Sequence, residues 1–127
     1  MPDYTHVTIE MPLPDAALSQ NYHGHWTRRH RAAKVARESA YLRALGSRTF
    51  ACPEPWPWPA ATVDLTFYWP DKRRRDKDNA VASMKAALDG IADAGLVVND
   101  EHFQPGKVDF QVDKSNPRVV ITMRKLD

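Results

Sequence analysis

The chain has 127 residues and a mass of 14.4 kDa, the size of one compact domain that can bury a core without disulfides. Its composition, 43% hydrophobic and 27% charged, is globular; no apolar run approaches the ~18 residues of a membrane span, no basic-then-apolar leader opens the chain, and the single cysteine, Cys52, excludes an internal disulfide or a Cys-rich zinc module. A cytoplasmic protein is the expectation, and its net charge of +2 conceals a strong local asymmetry.

Val7, Ile9 and Met11 alternate with Thr8 and Glu10, which predicts a short strand ended by Pro12 and Pro14. After an irregular stretch to Gly24, a helix is expected from Trp26 to Leu45, with Gly46 as its stop. Its apolar side, drawn largely from Ala32, Ala33, Ala36 and Ala40, is thin, so the helix should lie across the domain rather than inside it. Between Asn21 and Phe50 stand seven Arg/Lys, namely Arg28, Arg29, Arg31, Lys34, Arg37, Arg43 and Arg48, against one acid, Glu38. Such a patch is either a solvated face or the footprint of a polyanion. His23, His25 and His30 share this region, but no cysteine is near and their spacing suits no common structural zinc site.

Prolines at 53, 55, 57 and 59 forbid helix and sheet interior and favour an extended connector of polyproline type. Trp56 and Trp58 would then either cover the core or offer a stacking platform for bases. Val63, Leu65, Phe67 and Trp69 form the clearest strand. It leads into Lys72, Arg73, Arg74, Arg75 and Lys77, five cations in six positions. Asp78 or Asn79 is placed to cap a second helix running to Ala94, with Val81, Met84, Leu88 and Ile91 on its core face and Gly95 as its stop. Leu96-Val97-Val98 is a further short strand-like run. Val108, Phe110 and Val112, then Val119, Ile121 and Met123, flank Ser115-Asn116-Pro117 and predict an antiparallel hairpin. The order β-α-β-α-(β)-β-β describes a single mixed α+β domain over residues 1–127, with no repeat.

Acids are concentrated beside the most basic loop. In an extended turn Asp76 and Asp78 would face the same side, two hard oxygen donors that suit Mg²⁺. Asp100, after the next apolar run, is placed to return to that edge as a third ligand. Lys85 lies seven residues beyond Asp78, within about 20° of it on one continuous helix, and Asp89 shares the face and can pair with Lys85. Asp93 falls outside this group. A plain helix cap is the competing account of Asp-x-Asp-Asn. A calcium loop fails, since Ala80, Val81 and Ala87 occupy positions that would need a ligand, a glycine and a glutamate.

Taken together, Arg73-Arg74-Arg75-Asp76-Lys77-Asp78-Asn79, Lys85-Ala86-Ala87-Leu88-Asp89-Gly90-Ile91 and Ala94-Gly95-Leu96-Val97-Val98-Asn99-Asp100 resemble the RusA family of Holliday-junction resolvases. The likeness is dense from Arg73 to Glu101 and weaker around Asn21, His25 and Trp26. It implies a RusA-like fold and a homodimeric endodeoxyribonuclease of recombination and repair. That enzyme depends on Mg²⁺, with Mn²⁺ substituting, and makes paired nicks in four-way DNA junctions. The resemblance maps the catalytic acids and metal ligands onto Asp76, Asp78 and Asp100, and the essential lysine onto Lys85. In the best-known members the lysine lies four residues after the second acid, where this chain has Ala82; Asn99-Asp100 stands for the usual acid pair. DNA backbone contacts are expected from Arg28, Arg29, Arg31, Lys34, Lys72, Arg73, Arg74, Arg75 and Lys77, and a dimer interface from the final hairpin or the proline-tryptophan run. The rival readings are a DNA-binding module without catalysis and a metal-dependent nuclease of flaps or single strands.

Overall fold

A computed structural model describes residues 6–50 and 55–126, the side chains of Thr49 and Phe50 excepted; Cys52 and Pro53 lie outside them. The elements in chain order are β1 (His6–Met11), a 3-10 turn (Ala16–Leu18), α1 (Trp26–Phe50), β2 (Ala60–Trp69), α2 (Lys77–Ala82), α3 (Lys85–Asp93), a second 3-10 turn (Asp100–His102), β3 (Phe103–Val112) and β4 (Arg118–Leu126). The four strands form one mixed sheet in the order β1-β4-β2-β3. β4 runs antiparallel to β1 and β2, while β3 is parallel to β2. A single mixed domain was forecast from the alternation of patterns, as α+β; the structure is a mixed α/β domain with one four-stranded mixed sheet.

The period-2 pattern of β1, β2 and β4 turns one face of the sheet into core, with Val7, Ile9, Leu65, Phe67, Ile121 and Met123 all buried. Ala40 and Ala44 of α1 and Met84, Ala87 and Ile91 of α3 complete that core. Among the described residues of the 25-residue α1 only Ala40 and Ala44 are fully buried, so the helix does lie across the domain. At the α1–α3 crossing Gly90 is required: a Cβ there would run into the Arg37 carbonyl oxygen.

Several expectations are corrected. Gly46 does not stop α1, which runs on to Phe50; Gly95, with φ +97°, is the glycine that takes the left-handed conformation after a helix. The weak propensity penalty of a helical glycine, ~1 kcal/mol, is offset by docking of the last turns, where Arg48 reaches the Ala94 carbonyl and lies over the Trp56 ring. Trp56 and Trp58 are 8% and 1% exposed, which overturns the base-stacking platform and removes them from any dimer surface. The Trp58 backbone N–H donates to the Leu96 carbonyl at 2.6 Å, and Leu96-Val97-Val98 contributes one bridge, Val97 to Trp58, rather than a strand.

The expected final hairpin is also absent. β3 returns parallel to β2 through the α2–α3 crossover, so β2 lies between β3 and β4. The connection from Asp113 to Pro117 steps over the end of β2, two strand spacings or about 10 Å. Asp113 organises it by accepting from the Ser115 hydroxyl, the Asn116 N–H and Arg118, which depresses its own pKa. β3 begins at Phe103, before the visible alternation, because Gly106 and Lys107 form an irregularity opposite Asp64.

Candidate functional site

The strand β2 delivers the chain into the basic turn. Asp71 accepts from the Arg73 N–H at 3.0 Å and from Arg75 at 2.8 Å, in that order the causes that hold its carboxyl below the usual range. The Arg75 guanidinium also donates to the Asp71 and Arg73 carbonyls and stacks 4.3 Å from the Trp69 ring centroid. Arg75 is therefore an internal strut of the turn. Lys72, Arg73 and Arg74 stay on the surface. Lys77 reaches back to the Val108 carbonyl and lies over Phe110.

The cap of α2 is Asp76, not Asp78 or Asn79. Asp76 Oδ1 accepts from the backbone N–H groups of Asp78 at 2.8 Å and Asn79 at 3.4 Å, leaving Oδ2 outside the cap. Asp78 is exposed in the first helical turn, so the two acids are not alternate residues of an extended loop. Asn79 has another task. Its Oδ1 accepts from the Gln20 N–H at 2.8 Å and its Nδ2 donates to Ser19 Oγ at 3.0 Å, tying the turn after Leu18 to the acidic turn.

The second predicted helix is broken at Ser83 and Met84. The Ser83 hydroxyl donates to the Asn79 carbonyl at 2.9 Å, a back-bond that bends helices. The bend leaves Val81 37% exposed while Met84 and Ile91 stay in the core, and it redirects Lys85. The Lys85 ammonium donates to Asp89 Oδ1 at 3.0 Å and to Asp100 Oδ2 at 2.5 Å. Asp100 followed by Asp89 raises the Lys85 pKa, and Lys85 depresses that of Asp100. Among the described residues no ion pair joins Lys85 to Asp76 or Asp78. One further pair braces the same region: Arg37 donates to both oxygens of Asp93, at 2.6 and 2.9 Å.

Ser83, Lys85, Asp89 and Arg37 border a cleft of about 490 Å³ between α1 and the α2–α3 segment. Arg29, His30, Lys34 and Arg37 line one wall; Ala82, Lys85 and Asp89 line the other. Of the expected DNA contacts only Arg29 and Lys34 line the cleft; those of the basic turn, Lys72 to Arg75 and Lys77, lie elsewhere. Arg28, which pairs with Asp15 at 3.3 Å, and Arg31 border a different, apolar hollow of about 300 Å³ beside Met11, Leu13 and Val35. Residue types alone did not single out His30, Arg37 or Asp89 as members of one cleft. Helical spacing did contain the signal, since 29, 30, 33, 34 and 37 share one stripe of α1.

Among the described residues no group of three or more His, Cys, Asp or Glu side chains is gathered to hold a metal ion. The acids instead fall into Asp76 with Asp78 at the head of α2, and Asp89 with Asp100 around the Lys85 ammonium. All are hard oxygen donors, and the second two already converge on a cation. Mg²⁺ and Mn²⁺ bind through one or two such carboxylates plus waters and phosphate oxygens; here Asp89 and Asp100 are taken up by the Lys85 ammonium. His23, His25 and His30 are not gathered into such a group, and no described helix is long and apolar enough to cross a membrane.

No family model matches the chain. A protein of Xylella fastidiosa (strain Temecula1 / ATCC 700964), described only as an uncharacterized protein, is 37% identical over 100 residues, which cover 76% of this chain and 61% of that relative. The chain thus spans about six-tenths of the length of the relative it matches, and it is similar to a protein whose description names no activity.

Proposed function

We propose that this chain is a divalent-metal-dependent endodeoxyribonuclease of RusA type that nicks branched DNA, four-way junctions foremost, as a homodimer. The observation that carries the reading is the cleft, where cations of α1 face Lys85 and Asp89, with Asp100 bonded to the same ammonium. A basic wall positions a phosphate backbone without reading sequence. Carboxylates set against it weaken polyanion binding unless a metal intervenes, which favours catalysis over a simple binding module.

In this reading Arg29, Lys34 and Arg37 hold phosphates along the cleft, and Lys72, Arg73 and Arg74 hold those beside the acidic turn. Asp76, Asp78 and Asp100 are the residues that would hold Mg²⁺; when bound, the ion supplies a water of lowered pKa and neutralises phosphate charge. Lys85 orients Asp100 and Asp89 before substrate arrives and offers its ammonium to the phosphate afterwards. Asn79 keeps the turn carrying Asp76 and Asp78 against the segment at Ser19 and Gln20. A two-fold dimer would supply the second site that paired nicks require.

The test is cleavage of four-way, flap and linear DNA in Mg²⁺ and in EDTA, with gel-shift affinity measured in EDTA. Junction nicking in Mg²⁺ that is lost in Asp76→Asn, Asp78→Asn and Asp100→Asn, with binding kept, supports the reading. Asp109→Asn, on β3, is the active control. Binding without cleavage of any substrate would leave a DNA-binding module, and selective cutting of flaps or single strands would replace the junction. Light scattering that gives a monomer with and without junction refutes the dimer.

A further inference from the structure

Trp26 stands apart from the other tryptophans. It is 70% exposed, whereas Trp56 and Trp58 are buried and Trp69 is packed among Arg75, Phe67 and Phe110. A single exposed apolar side chain is ordinary, but this one is held in place. Its indole stacks on the His25 ring at 5.5 Å between centroids and 30° between planes. The imidazole is itself fixed: Nδ1 accepts from the Thr27 N–H at 3.1 Å and lies 2.7 Å from Thr27 Oγ1. The Tyr22 hydroxyl donates to the His25 carbonyl at 3.1 Å, and Gly24 leaves room for the Tyr22 ring where a Cβ would collide with it.

Position supplies the second argument. Counting from Trp26, residues 29, 30, 33, 34 and 37 fall at i+3, i+4, i+7, i+8 and i+11, the stripe of α1 that lines the cleft. At 1.5 Å per residue, Trp26 precedes Lys34 along the helix by about 12 Å. Its neighbours on this stripe are Arg29 and His30, so the indole is not part of an apolar patch that a protein or lipid would cover. A ligand that takes a π-face at one end and cations at the other is a nucleotide strand.

Resting on the nucleic-acid reading above, we propose that the Trp26–His25 pair is a stacking platform for an unpaired DNA base, at the end of the phosphate track formed by Arg29, Lys34 and Arg37. The substrate must then present an unstacked base near the branch. Stacking of this kind tolerates any base, because each has a π-face.

The experiment uses the full chain in EDTA with a single-stranded oligonucleotide, an abasic strand of equal length, and a four-way junction. Base-bearing DNA should quench tryptophan emission. Trp26→Ala should lower affinity for the base-bearing strand about tenfold and leave affinity for the abasic strand unchanged. Trp26→Phe should keep most of the affinity and lose the quench. Equal losses on both strands would mean that Trp26 acts through the fold of the helix start, and unchanged binding by Trp26→Ala would mean that no base stacks there; either overturns the platform alone. A wild-type chain that binds none of the three DNAs overturns the nucleic-acid reading as well.

Discussion

Replacing Lys85 by methionine keeps the aliphatic stem and removes the ammonium bonded to both Asp89 and Asp100. Three magnitudes then separate. For stability, the i,i+4 pair with Asp89 contributes ~0.3–0.5 kcal/mol. Because Lys85 is 68% exposed, screening keeps it at the low end, a thermal midpoint change of roughly 1–2 °C. For binding, Lys85 is one of 18 Lys/Arg, and its loss should reduce the salt dependence of DNA affinity by less than one phosphate equivalent. For turnover, an ammonium aimed at developing phosphate charge is worth ~10²–10³ in rate. Single-turnover cleavage of a four-way junction in saturating Mg²⁺, with gel shift in EDTA and a thermal melt, reads all three. A cleavage rate within about threefold of wild type, beside the small melt change, would refute the catalytic role and leave Lys85 as a surface pair.

Asp76→Ala should lower stability by ~1 kcal/mol through the lost cap, whereas Asp76→Asn caps as well and should melt like wild type; if cleavage collapses in both, the carboxylate charge and not the cap is what the reaction needs. Asp93 is held below the usual carboxylate value of 3.8, chiefly by its hydrogen bond from Arg37. A depressed folded pKa contributes stability that is present above 3.8 and is lost as pH falls through the folded value. The thermal midpoint of Asp93→Asn should therefore lie below wild type at neutral pH and converge with it in acid, and a constant gap across a pH series would contradict the pairing. Gly90→Ala gains up to ~1 kcal/mol of helix propensity but drives a Cβ into the Arg37 carbonyl, an overpacking cost of ~1–3 kcal/mol; a melt at or above the wild-type midpoint would show that α1 and α3 can separate freely.

What the sequence revealed was what depends on local period. Alternation at Val7-Ile9-Met11 and Val63-Leu65-Phe67 located strands that bury those residues, and Gly95 marked a helix end through its positive φ. Sheet order was not legible, because alternation identifies a strand's buried face and says nothing about its neighbour. The short turn at Ser115-Asn116 suits a hairpin, yet the crossover from β2 to β3 had already placed β3 on one edge of β2 and left the other to β4. Gly46 and Gly95 are identical letters; tertiary docking of Arg48 and Ala44 decided which one a helix could pass through.

The site was legible as a set of residues and not as an arrangement. Seven positions at 100° each bring Lys85 back to the Asp78 face only if the helix is continuous, and one serine hydroxyl on the Asn79 carbonyl breaks that condition. The bend sets Lys85 beside Asp89 and Asp100, on the cleft wall. Ala82 lines the same wall. Positions 82 and 85, on either side of the bend, therefore both open onto one space.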